Sequence, residues 1–62
     1  MSLKDLLKYS KNVNLLYVED DEITQELYTA IFEDLFLSVD IASDGVEALE
    51  KYSPQKYDLI IS

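Results

Sequence analysis

The sequence predicts an α/β domain built on parallel strands, with elements in the order strand, helix, strand, helix, strand. Three observations carry that reading. Residues 13–18 and 57–62 are nearly continuous apolar runs, the composition of strands buried on both faces beneath helices. Between them, Ile23, Leu27, Ile31 and Leu35 recur every four residues, which is a helical period. Leu37-Ser38-Val39-Asp40-Ile41 instead alternates apolar and polar with period two, as a strand with one wet face does. Strands that alternate with helices pair in parallel and connect through right-handed crossovers.

Each element has its own local reason. Leu3, Leu6, Leu7 and Tyr9 fall at helical spacing, so a short amphipathic helix is predicted in an N-terminal extension over residues 1–12. Ser10-Lys11-Asn12 breaks that pattern, and the domain proper runs over residues 13–62. Its first strand is interrupted only by Asn14. The helix that follows, over residues 22–35, is expected to turn Ile23, Leu27, Ile31 and Leu35 inward, flanked by Thr24, Tyr28 and Phe32. Its expected polar face carries Gln25, Glu26, Thr29 and Glu33. The alternating strand over residues 37–41 suits a sheet edge. Asp44 is a good N-cap for the next helix, and Glu47 stands at capping-box spacing from it. Val46, Leu49 and Tyr52, with Ala48 beside them, form the expected inward stripe. Ser53-Pro54 stops the helix, because the residue before a proline avoids helical geometry. Tyr57-Asp58-Leu59-Ile60-Ile61-Ser62 begins a further buried strand.

Composition removes several function classes. A chain of 62 residues is one domain at most, at a length where core burial is marginal. The absence of cysteine and histidine removes disulfides, thiolate and imidazole metal sites, and nucleophilic triads. Five basic against 13 acidic residues give a net charge of -8, which disfavours nucleic acid and anionic membrane surfaces as partners. Gly45 is the only glycine, so neither a dinucleotide fingerprint nor a P-loop is present. Residues 40–51 fail as a calcium loop, since Ala42 and Lys51 occupy positions that need oxygen ligands. No apolar run reaches membrane-spanning length, and the start lacks the features of a secretory signal. A soluble cytoplasmic protein is expected.

The densest chemical signal is Glu19-Asp20-Asp21-Glu22, four carboxylates directly after the first strand. Ionised acids so crowded repel one another unless a cation or solvent shields them. A few carboxylates plus waters suit Mg2+. The competing reading is an acidic turn that starts the next helix, where negative charge meets the positive end of the macrodipole.

Three stretches in order tip that balance. Leu15-Leu16-Tyr17-Val18-Glu19-Asp20-Asp21, then Val39-Asp40-Ile41-Ala42-Ser43-Asp44-Gly45-Val46-Glu47-Ala48-Leu49, then Tyr57-Asp58-Leu59-Ile60-Ile61 resemble the first half of a bacterial response-regulator receiver domain. The resemblance covers residues 13–62. It implies a truncated flavodoxin-like βαβαβ fold with strand order 2-1-3. It also implies a Mg2+ site at Glu19 and Asp20, where the second acid binds the metal directly and the first acts through water. Asp21 falls where the family varies and is read as helix-start charge. Asp44-Gly45 matches a structural turn, and Phe36 departs from the small or polar residue common at the end of the family's first helix.

In the family, an aspartate directly after the third strand receives the phosphoryl group from a sensor histidine kinase. The sequence reaches Ser62, one position before it. The resemblance therefore implies a non-enzymatic segment with half of a phosphoacceptor site and weak or absent Mg2+ binding. A homodimer or oligomer through the third strand or the uncovered sheet face is also expected. Two alternatives are a small acidic interaction module without a phosphorelay role, and the nucleotide- or flavin-binding half of another doubly wound protein.

Overall fold

The computed structural model describes residues 2–62. The chain folds as α1 (Leu3–Ser10), β1 (Asn14–Val18), α2 (Glu22–Leu35), β2 (Ser38–Ala42), α3 (Gly45–Lys51) and β3 (Leu59–Ile61). The three strands form one parallel sheet in the order β2-β1-β3. The α/β class is as the alternation of elements predicts, and the strand order is the one the resemblance implies. The expected inward stripe of α1 at Leu3, Leu6 and Leu7 lies outside the described side chains. The helix itself starts at a capping box, with Ser2 Oγ accepting from Asp5 N at 3.2 Å. At its other end Ser10 Oγ donates to Leu35 O at 2.8 Å, tying the end of α1 to the end of α2.

The core sits on the middle strand. Leu15, Leu16 and Tyr17 of β1 are buried, together with Val13 just before it and Ala42 at the end of β2. Apolar runs at a sheet centre are covered from both sides, which explains the unbroken Leu-Leu-Tyr-Val. Asn14 heads the same strand and reaches both neighbours. Its Oδ1 accepts from Ser38 Oγ at 2.6 Å, and its backbone N–H donates to Asp58 Oδ2 at 2.9 Å. The register is therefore pinned at the end of the sheet opposite the acidic loop.

Expectations about packing on four elements are revised. On α2, Ile23 (78 % exposed), Leu27 and Ile31 face outward. The inward residues are Phe32, Leu35 and the half-buried Thr24, Gln25 and Thr29. Ring packing decides the rotation: Phe32 meets Tyr17 edge-on at a centroid distance of 5.0 Å, Tyr28 stacks on Phe32, and Phe36 meets Phe32 at 5.8 Å. Aromatic contacts of this kind outweigh a regular aliphatic spacing. Phe36 thereby closes the helix, its N–H donating to Phe32 O.

On β2 the wet face is only partly covered: Ser38 is exposed, while Asp40 lies half-buried beside Tyr57 and Lys56. On α3, Val46 and Leu49 are largely exposed. Leu49 and Tyr52 instead wall an apolar groove over Leu16 and Ile60. The expected buried strand at residues 57–62 shortens to β3, whose Leu59 and Ile60 are close to half exposed at the other sheet edge.

Candidate functional site

The carboxyl ends of β1 and β2 and the loops that follow them form an open depression of about 370 Å3, lined by Val18, Glu19, Asp20, Ser43, Asp44, Gly45 and Ser62. Clefts at strand C-termini are where open α/β sheets bind ligands. Glu19 and Asp20, the predicted metal residues, both lie on this lining.

The loop is built by a chain of hydrogen bonds. Glu19 N–H donates to Ala42 O at 3.0 Å, extending the β1–β2 ladder one residue beyond the strand. Glu19 Oε2 turns back to accept from Asp21 N–H at 3.1 Å. Asp21 is the N-cap of α2, its Oδ2 accepting from Thr24 N at 2.8 Å and from the Thr24 hydroxyl. The Thr24 bonds hold the Asp21 carboxyl below the usual carboxylate range. Asp21 thus belongs to the helix start, and Glu22 adds charge in the first turn, where the macrodipole favours it. The helix-start reading holds for these two residues and leaves Glu19 and Asp20 apart from them.

Asp20 is exposed, and its carboxylate takes part in no hydrogen bond or ion pair among the described residues. The donor set fits a hard cation: one unengaged carboxylate and one partly engaged neighbour, open to the waters that complete an octahedron. It does not make an all-protein cage, and among the described residues no three metal-binding side chains converge.

The opposite rim is structural. Asp44 caps α3 by accepting from Glu47 N at 2.8 Å, while Glu47 Oε2 accepts from Ser43 N at 2.9 Å. The reciprocal pair reaches one residue further back than an ordinary capping box. The Ser43 N–H, aided by Lys51, lowers the Glu47 carboxyl. Behind the loop, the Tyr17 phenol is pushed up, first by burial and then by the charge of Glu19.

One residue of the site was missed by sequence reasoning. Gln25 was assigned to the solvent face, yet its Nε2 donates to the backbone carbonyl of Glu19 at 3.0 Å. Gln25 N–H makes the first backbone bond of α2, to Asp21 O. Helix side chains tilt toward the N-terminus, so a long amide at this position reaches back over the loop. That tilt is the signal that could have identified it.

No family model and no solved structure matches the chain. Over 49 residues, 79% of its length, the chain is 37% identical to the response regulator mcs4 of Schizosaccharomyces pombe, of which the match spans 9%. Over an equal length it is 41% identical to the aerobic respiration control sensor protein ArcB of Escherichia coli, of which it spans 6%. The chain thus covers less than a tenth of either relative.

Proposed function

We propose that this chain, a response-regulator receiver segment, supplies the cation-binding half of a phosphoacceptor site in a cytoplasmic two-component pathway. The observation that carries the proposal is Asp20: an exposed, unengaged carboxylate on a depression at the strand C-termini, beside a Glu19 already bonded to the loop backbone. In this reading Asp20 binds Mg2+ directly and Glu19 acts through water. The ion supplies charge neutralisation for a phosphoryl group arriving from a sensor histidine kinase. In this reading none of residues 13–62 is assigned as the phosphoryl acceptor, and they serve the transfer without catalysing it. In the 62-residue chain, the open edge of β3 is proposed to pair with a second copy.

Titration with Mg2+ tests the metal reading. Binding is expected to be weak, because only part of the shell is protein, and Asp20→Asn is expected to abolish it. Submillimolar binding that survives Asp20→Asn removes these carboxylates from the function. A flat response of the unaltered chain favours an acidic interaction module instead.

A further inference from the structure

We infer that Gln25 is the positioning residue of the Asp20 site, acting through the Glu19 carbonyl; this role rests on the Mg2+ reading proposed above. The direction of the Asp20 side chain follows from the two peptide planes that flank its Cα. The plane before it contains Glu19 C=O, held by Gln25 Nε2 at 3.0 Å. The plane after it contains Asp21 N–H, held by Glu19 Oε2 at 3.1 Å. One plane further upstream, Glu19 N–H is held by Ala42 O. Three consecutive planes are therefore fixed, none of them by the Asp20 carboxylate. Of these three restraints, the Gln25 bond alone comes from a helix side chain, from neither the strand ladder nor the acidic pair.

The residue type suits the task. A carboxamide donates a hydrogen bond without charge, so it fixes the loop without opposing a dication bound in the depression. Lysine or arginine in its place would add repulsion to any cation in the depression. The bond is also partly shielded from solvent, where water competes less for the carbonyl. A ligand held in its binding geometry loses less freedom on binding, and that difference appears as affinity.

The test compares Mg2+ binding by the 62-residue chain and by its Gln25→Met and Gln25→Glu forms. Each replacement keeps roughly the length of the side chain and removes the donor. One lost hydrogen bond is expected to weaken binding about threefold to tenfold in both variants. In metal-free protein, 15N relaxation is expected to show added motion confined to residues 19–21. Helical content is expected to be unchanged.

A role in folding alone would lower the urea midpoint and leave the affinity of the folded chain intact; that result overturns the inference. Tighter binding by Gln25→Glu overturns it too, because negative charge would then govern the site. Failure of the unaltered chain to bind Mg2+, or binding that survives Asp20→Asn, overturns the functional reading and this role with it. Unchanged affinity in the Gln25 variants, with Asp20→Asn still defective, overturns the Gln25 role alone.

Discussion

Asp40 stands on β2, accepting the phenol hydrogen of Tyr57, while Lys56 Nζ approaches to 3.5 Å and lies over the Tyr57 ring. The Tyr57 bond, and then the Lys56 charge, hold the Asp40 carboxyl below its ordinary range. A carboxyl depressed in the folded state stabilises the fold above its unfolded pKa of about 3.9. That contribution disappears as pH falls through the lower folded value. The urea midpoint is therefore expected to drop on acidification below about pH 4, with a shallower drop for Asp40→Asn; identical pH profiles would exclude this contact as a cause. At this scale the sequence was uneven. Asp21 and Asp44 were legible as caps, because capping needs only a short acceptor before a helix. Gln25 and Asp40 were not, because their partners are set by helix rotation and by a loop that folds over the sheet.

The two edge strands differ in how they meet solvent. Ala42 O faces β1 through Glu19 N–H, so the alternating Ile41 carbonyl points away from the sheet, where Lys51 Nζ donates to it. Lys51, reaching over from the end of α3, thus occupies an outward carbonyl of this edge that another chain would otherwise pair with. β3 has no such cover among the described residues, and its Leu59 and Ile60 are exposed. With one edge blocked and one open, a closed pair through β3 is favoured over a filament. Sedimentation at micromolar concentration is expected to give a dimer that tightens as salt rises, since screening weakens repulsion between highly charged copies. A compact monomer at all salt concentrations would contradict this. Element boundaries were readable to within a residue or two in β1, β2 and α2. The buried face of α2 was not, because Ile, Leu and Phe satisfy helical spacing on several faces and only the meeting of Phe32 with Tyr17 selects among them.

As a whole the molecule is a flattened body of 34 × 28 × 16 Å, thin because helices cover its sheet only in part. The class was legible from the alternation of elements, and the strand order only through the resemblance that the three motifs carry. The depression was legible only as an acidic run, since its far rim comes from residues 24 positions later in the chain. The 62-residue chain is expected to take no phosphoryl group from acetyl phosphate, measured by intact mass, because Glu19 and Asp20 are proposed to serve a cation. Stoichiometric labelling would overturn the half-site reading. A different consequence follows from Asn14, whose side chain and backbone join strands 24 and 44 residues away. Neither partner is within reach until a long loop has closed, and each closure costs entropy before any contact repays it. Refolding of this small chain is thus expected to be paced by the search for alignment at the amino ends of its strands, with the helices, however fast they form, waiting on that search.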